Sequence, residues 1–178
     1  MLSRRAVLAA ALAAGGAAAA HTPYGQWVVY RQKHLLVGAH RGDPETYALA
    51  QRIVSALEVE LPEARARVAR GPRAERISRL LITGQLSLAV LERGEAARMA
   101  AAAPPFEGMG PAPLQPLTAL GGAYVLYAHP DMAEDHVWLV TAALAHDGIG
   151  AAPAGDIGLH HPGAAAFWRS WPPTSDSP

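Results

Sequence analysis

Residues 34–71 constrain the fold of this chain more than any other part of its sequence. They begin with a short apolar run, Leu35 to Val37, cross a polar turn at Arg41 to Pro44, and continue with apolar residues at helical spacing. A strand-like piece, Ala64 to Ala69, follows near the end of the stretch. The order of strand, tight loop, helix and strand is the unit that builds a parallel sheet with helices on its faces. It predicts an α/β fold, with any ligand at the carboxyl ends of the strands.

The rhythm of strand, loop and helix continues through the first half of the chain. Asp43 is expected to cap the first helix, and the alternation of Ala with Arg in the second strand predicts an exposed or edge position. A turn at Gly71 leads into a helix over residues 73–82, and residues 86–91 form the third strand. A loop at 92–94 and an alanine-rich helix over 95–103 complete the pattern. These units together predict a single three-layer domain with a mostly parallel sheet.

The second half of the chain is less regular. Residues 104–116 read PPFEGMGPAPLQP, a composition that neither a helix nor a central strand tolerates, so they predict a linker. Beyond the linker, the pattern predicts two strands and then two helices, over residues 117–120, 123–128, 133–147 and 164–171. Residues 173–178 form a polar tail.

Residues 1–20 are typical of a secretory signal peptide. Two arginines, Arg4 and Arg5, precede a run of Ala, Val, Leu and Gly only, and Ala18 to Ala20 match a cleavage site before His21. The run is too short and too rich in alanine for a comfortable membrane span. The paired arginines also resemble a twin-arginine export signal. We therefore expect a periplasmic protein whose mature chain, residues 21–172, forms one domain, with an uncleaved N-terminal anchor as the alternative.

Composition argues against several classes of function. The chain has no cysteine, which excludes disulfides and cysteine-ligated metal sites. Its formal net charge is zero and only 6% of its residues are aromatic, which argues against nucleic acid as a partner. It contains neither a Gly-rich phosphate loop nor a Gly-x-Ser-x-Gly motif, so the sequence indicates no cofactor and no catalytic site.

The histidines are the remaining candidates for a metal site. No two of the eight have the His-x3-His spacing of a helical zinc site, and we expect no metal. A scattered site that joins His40 and His129 would require the fold to bring these two residues together. His160 and His161 precede the last helix and are more simply a turn element.

The order of these features resembles a known receptor family. Thr46 and Tyr47 at a helix start, an Arg-containing strand, the Gly71-Pro72 turn and the strand from Leu86 are similar to one lobe of the solute receptors of tripartite transporters. The type is the TRAP-associated extracytoplasmic immunogenic (TAXI) receptor, and its closing segment resembles residues 124–137 and 161–171. The resemblance covers most of the mature chain. It implies a periplasmic-binding-protein-like lobe, with residues 104–116 standing where the family inserts a second lobe.

The resemblance also implies where solute would bind. The solute contacts come from the loops after the first three strands, which here carry Arg41, Thr46, Tyr47, Arg70, Gly71, Arg73 and Glu92. Arginines near helix N-termini suit a carboxylate, because guanidinium binds it bidentately and helix N-termini favour anions. We expect a small anionic organic solute, with a transporter membrane subunit or another periplasmic protein as partner. The alternatives are that the arginines only solvate loops, and that the face left by the missing lobe docks a protein.

Overall fold

The computed structural model describes residues 30–112, 114–150, 152–154 and 159–171. The chain divides into two compact units, residues 1–33 and 34–178. Only residues 30–33 of the first unit are described, and they are helical. The predicted signal peptide and the predicted polar tail lie outside the described residues. In the described part of the chain, no helix is both long enough and apolar enough to cross a membrane.

A five-stranded mixed sheet forms the centre of the second unit. Its strands in chain order are β1 Leu36–His40, β2 Arg67–Gly71, β3 Leu88–Glu92, β4 Gln115–Ala119 and β5 Tyr124–Ala128. They lie side by side in the order β2-β1-β3-β5-β4. Strand β1 pairs in parallel with β2 and β3, whereas β5 runs antiparallel to both β3 and β4. The α/β class and the edge position of β2 are confirmed, and the predicted parallel pairing is found among β1, β2 and β3.

Helices cover both faces of this sheet. They are α1 Pro44–Glu60, α2 Ala74–Ile82, α3 Arg93–Ala100, α4 Glu134–His146 and α5 Pro162–Ser170, with short 3-10 helices at Pro62–Ala64 and Glu107–Met109. Helices α1, α4 and α5 pack on one face, against side chains such as Val37 and Val90. Helices α2 and α3 pack on the other face, against their neighbours Leu36 and Leu91. Each central strand is therefore buried on both faces, as its near-continuous apolar sequence requires.

Helix α1 begins where the sequence predicts. The Asp43 side chain accepts a hydrogen bond from the backbone N–H of Glu45 at 2.9 Å, and Pro44 occupies the first helical position. The helix ends at Glu60, directly before Leu61. The cap fixes where the chain leaves β1, and so it fixes the loop at the carboxyl end of that strand.

Two segments differ from the prediction. Helix α3 begins at Arg93 directly after Glu92, the last residue of β3, so residues 92–94 form no loop. Strand β4 begins at Gln115, inside the segment predicted to be a linker. Pro116 fits because β4 is an edge strand with an irregular register at this point. Phe106 of the same segment is 1% exposed and belongs to the core beneath α2 and α3, so the segment packs against the domain.

Helices α4 and α5 approach closely at Gly163, which provides a test of this packing. A Cβ at position 163 would collide with the carbonyl oxygen of Glu134 and lie 3.1 Å from the backbone nitrogen of Trp138. We expect Gly163→Ala to lower the free energy of unfolding by about 1–3 kcal/mol, the usual cost of overpacking, in urea denaturation. Gly108→Ala is the matched control, because a Cβ there meets nothing within 4 Å. Equal stability of the two variants would contradict the close helix contact.

Candidate functional site

The carboxyl ends of β1, β2 and β3 lie at one edge of the sheet, because these strands are parallel. A cleft of about 330 Å³ opens at this edge, and we call it the strand-end cleft. Its charged lining residues are Asp43, Arg73, Glu75, Glu92, Glu95 and Arg98. His40, Gly42, Pro105 and Phe106 contribute to its wall. The volume is at the small end of the range of ligand pockets, roughly 300–1,000 Å³.

The alternation of side chains along β1 decides which residues reach the cleft. Val37 and Ala39 point to the face of α1, while Leu36 packs with α2 and α3. His40 follows the same alternation as Leu36, and its ring lies against Glu95 of α3. The cleft therefore belongs to the side of the sheet that α2 and α3 cover.

A buried imidazole–carboxylate pair forms the inner wall of the cleft. His40 is 4% exposed, and its Nε2 lies 3.3 Å from Oε2 of Glu95. This distance suits an ion pair, yet the two groups are not aligned as a hydrogen bond. Both ring nitrogens of His40 and the Oε2 atom of Glu95 lack a hydrogen-bond partner among the described residues. Buried polar atoms in this state are uncommon in folded proteins and call for an explanation.

Gly42 makes room for the ring of His40. A Cβ at position 42 would lie 3.2 Å from Nδ1 of His40 and 3.6 Å from its Cε1. The neighbouring side chain would then have to shift, so the glycine allows the loop after β1 to pass close over the ring.

Two of the predicted solute contacts line the cleft. Arg73 is exposed and precedes the first residue of α2, and Glu92 is half-buried at the end of β3. They stand on neighbouring elements of the same edge. The structure thus brings Arg73 and Glu92 to the same cleft, and their role as solute contacts stays a prediction.

Tyr47 and Arg70 lie together on the α1 side of the sheet. The guanidinium carbon of Arg70 lies 3.9 Å from the centre of the Tyr47 ring, a cation–π contact. The Tyr47 ring packs on the core under α1. Arg70 pairs in register with Ala39, whose side chain faces α1. The Arg70 side chain therefore lies on the α1 side of the sheet as well. This pair is separate from the lining of the cleft.

Arg41 and Gly71 meet through their backbones. The N–H of Arg41 donates to the carbonyl of Gly71 at 2.9 Å, which continues the pairing of β1 with β2 by one residue. The Arg41 side chain is exposed and is not part of the cleft lining. Gly71 is buried, and a Cβ there would lie 2.8 Å from the side chain of Ile77, so this glycine allows α2 to pack closely.

Thr46 holds the loop after β1 and is fully buried. Its hydroxyl accepts a hydrogen bond from the N–H of His40 at 3.2 Å. The same hydroxyl donates to the carbonyl of Asp43, which lies at 2.7 Å. Because both roles of the hydroxyl are occupied within the loop, Thr46 positions His40 and is not itself available to a solute.

Asp43 joins this loop to β5. One carboxylate oxygen caps α1, and the other accepts a hydrogen bond from the Tyr124 hydroxyl at 2.6 Å. That hydrogen bond is the main cause that raises the pKa of Tyr124 from its usual value to about 12, and burial of the ring adds to it. Both oxygens of Asp43 thus have structural partners.

The sequence reasoning missed His40, Glu95, Arg98 and Phe106 as components of the cleft. His40 is the last residue of β1, beyond the apolar run from Leu35 to Val37 that predicted this strand. Glu95 and Arg98 are on α3, whose start was placed too late in the chain. No local signal in the sequence identifies the pair, because His40 ends β1 whereas Glu95 is in the first turn of the helix that follows β3.

The structure places the histidines that the sequence singled out, His40, His129 and His161, at different parts of the domain. The N–H of His129 donates to the carbonyl of Ser87, before β3 begins, so His129 lies at the edge of the sheet opposite His40. A site that joins them is excluded. His161 is the N-cap of α5, where its Nδ1 accepts from the N–H of Gly163 at 3.3 Å, which confirms the turn element. The described residues contain no group of three His, Asp or Glu side chains placed to hold a metal ion.

The contact between Tyr124 and Asp43 predicts a pH dependence. The folded pKa of Tyr124, about 12, exceeds its ordinary value of 10.0, so the hydroxyl stabilises the fold fully below pH 10 and loses this effect as pH rises through 12. We expect Tyr124→Phe to lower the free energy of unfolding by about 1 kcal/mol at pH 7. The difference from the unmodified protein should shrink between pH 10 and 12, as measured by urea denaturation.

Two controls accompany this measurement. Tyr47→Phe should change stability little, because the Tyr47 hydroxyl has no hydrogen bond within the described residues and the ring remains under Arg70. Burial also raises the pKa of Tyr127 to about 12. Because every variant contains Tyr127, its ionisation cancels when the stabilities of two variants are subtracted. A stability difference that stays constant up to pH 12 would contradict the assigned hydrogen bond.

Comparison with known proteins does not assign the chain to a family. No protein-family model matches the sequence, and a search of curated proteins found no significant match. The functional argument therefore rests on the residues of the cleft.

Proposed function

We propose that this is an exported protein that binds a small organic solute in the strand-end cleft, for transport or sensing. The observation that carries the proposal is the cleft of about 330 Å³ at the carboxyl ends of β1 and β3, with charged residues of both signs in its lining and the contact between His40 and Glu95 in its wall.

The position of the cleft supports the same proposal. Ligands of open α/β sheets bind outside the carboxyl ends of parallel strands, and the cleft lies at the ends of β1 and β3. The loop that follows His40 is held by the buried hydroxyl of Thr46 and by the Asp43 cap, so this part of the wall is fixed before any solute arrives. A binding site fixed in advance loses less conformational entropy when it binds.

The likeness to a single TAXI-type lobe is part of this proposal. In a receptor with one lobe, no second lobe can close over the solute, so water exclusion has to come from the same domain. Pro105 and Phe106, from the segment that stands where the family inserts its second lobe, form part of the cleft wall. In our proposal this segment does the covering, and a transporter membrane subunit or another periplasmic protein receives the solute.

The anionic solute expected from the sequence would depend on arginines. Of the three predicted, only Arg73 lines the cleft, and Arg98 is a second guanidinium there. Both are exposed, so an anion would be held at the mouth of the cleft.

A ligand screen with one pair of variants tests the proposed function. We expect at least one compound in a panel of small carboxylates, amines and neutral polar solutes to raise Tm and to bind with one-to-one stoichiometry in calorimetry. His40→Phe should weaken that binding about tenfold or more, equivalent to about 1.4 kcal/mol. The same variant should also lower the free energy of unfolding, because it removes the contact between His40 Nε2 and Glu95 Oε2, so its fold is checked by circular dichroism before binding is compared.

The control variant is His129→Phe. His129 lies at the opposite edge of the sheet, where its Nδ1 accepts from the N–H of Asp131, and its loss should leave solute binding unchanged. The proposed function is wrong if no class of compound binds, or if His40→Phe binds the solute as tightly as the unmodified protein. If no solute binds and a pull-down from periplasmic extract recovers a defined protein, the result supports the docking alternative.

A further inference from the structure

We propose that the outer edge of β2 binds an extended acidic segment of a partner protein, which joins the five-stranded sheet as a further strand. The surface consists of strand β2 and the exposed arginines of residues 65–79, and we call it the β2 edge. The inference goes beyond the proposed function, because it assigns a protein-binding surface outside the strand-end cleft. Two independent observations support it, an open strand edge and a concentration of unpaired positive charge.

Strand β2 is the outermost strand of the described sheet and pairs only with β1. The N–H of Arg67 and the carbonyl of Gly71 are directed at the β1 side, where both form hydrogen bonds. Because backbone groups alternate in direction along a strand, the N–H and C=O of Val68 and Arg70 point away from β1. The described residues place no further strand beside them. An edge of this kind is a template on which another chain can pair.

The open part of the edge is short and well defined. The carbonyl of Ala66, which precedes it, accepts a hydrogen bond from the Arg67 guanidinium at 2.7 Å. Strand β2 ends at Gly71, and the chain then turns into α2. Residues 68–70 therefore remain accessible for pairing. A partner segment with the length of an ordinary strand, about five or six residues, spans them.

Positive charge is concentrated along the same edge. Residues 65–79 contain six arginines and one acidic residue, Glu75, in a chain whose formal net charge is zero. All six arginines are exposed, and they are Arg65, Arg67, Arg70, Arg73, Arg76 and Arg79. Among the described residues, only Arg67 forms an ion pair, with Glu58, and both of these side chains are about half exposed. An exposed ion pair is weak, so a carboxylate of a partner can compete for Arg67 as well.

The arginines reach the edge from both faces of the sheet. A Cβ at Gly71 would lie 3.6 Å from Cγ of Arg76, so the stem of Arg76 passes over the end of β2 on the α2 side. On the α1 side, the Arg70 guanidinium stacks on Tyr47. A stacked guanidinium still presents its N–H donors to a carboxylate. A strand added beside β2 would therefore meet an arginine on each of its two faces.

These features define the chemistry of the partner. Carboxylates beside Arg70 and Arg76 gain charge-assisted hydrogen bonds. The partner residue beside Val68 is apolar, because Val68 is half-buried and packs on the core under α1. In strand addition, backbone hydrogen bonds supply affinity and the neighbouring side chains supply specificity. A second copy of this chain fits poorly, because two β2 edges would set arginines against arginines.

A labelled peptide of sequence Glu-Glu-Val-Thr-Val-Glu-Glu is the probe, since it reads the same in both directions and so allows parallel or antiparallel pairing. We expect fluorescence anisotropy to detect its binding to the full chain. Lys-Lys-Val-Thr-Val-Lys-Lys should bind at least about tenfold more weakly because its charge is opposite. Glu-Glu-Val-Pro-Pro-Glu-Glu keeps the negative charge but lacks two backbone donors, and it should also bind about tenfold more weakly.

Variants of the protein locate the bound peptide. The double variant Arg70→Glu with Arg76→Glu reverses the charge on both faces of the edge and should weaken binding about tenfold or more. Val68→Pro removes an outward N–H that β1 does not use, and it should weaken binding to a similar extent. The double variant keeps the test decisive if Val68→Pro folds poorly by circular dichroism. Arg169→Glu is the matched control, because Arg169 is exposed on α5, whose Trp168 bonds to β4 at the other edge of the sheet.

Several results would overturn the inference. They are equal binding of the acidic and the proline-containing peptides, binding that the double variant and Val68→Pro leave unchanged, and no binding of the acidic peptide at about 1 mM. Binding of anionic lipid vesicles without binding of the peptide would overturn it too, as would dimerisation of the chain that Val68→Pro abolishes. None of these results bears on the proposed function, because Val68, Arg70 and Arg76 lie outside the lining of the strand-end cleft.

Discussion

Strand β1 is buried along its whole length and pairs in parallel with a strand on each side, and the rest of the domain depends on this arrangement. Because its side chains alternate, those of β1 pack in turn against the helices on one face of the sheet and the helices on the other. Gly38 allows the layer of α2 to come close, since a Cβ there would lie 2.7 Å from the Leu86 side chain. The same alternation places the side chain of His40, the last residue of β1, on the side of the sheet that α2 and α3 cover. The cleft is thus a direct consequence of how the central strand is packed.

The loop after β1 is braced from several directions. Thr46 bonds both ends of the loop, Asp43 caps α1, and Tyr124 connects the cap to β5. These contacts satisfy the backbone and the carboxylate of Asp43, while His40 and Glu95 keep polar atoms without partners. Buried polar atoms without a hydrogen bond are uncommon in folded proteins, and these atoms belong to two residues that line the strand-end cleft.

The sequence predicted the framework well and the site only in part. Capping by Asp43, the helical spacing of α1 and the Ala–Arg alternation of β2 are local signals, and local signals identified the elements. Glu95 could not be paired with His40 from the sequence, since their contact depends on the register of β1 with β3 and on the start of α3. Arg70 and Arg73 were expected at one site, but the alternation of side chains along β2 places Arg70 beside Tyr47 on the α1 side, away from Arg73.

A nuclear magnetic resonance titration of the isotopically labelled protein tests the central claim most directly, because it shows which edge and which face of the sheet receive a solute. With a solute identified in the ligand screen added, the account predicts saturable shifts of the backbone amide signals of His40, Gly42, Glu92 and Glu95, with the signals of Tyr47, Arg70 and His129 unchanged. Saturable shifts centred on Tyr47 and Arg70, or on the opposite edge around His129, would contradict it.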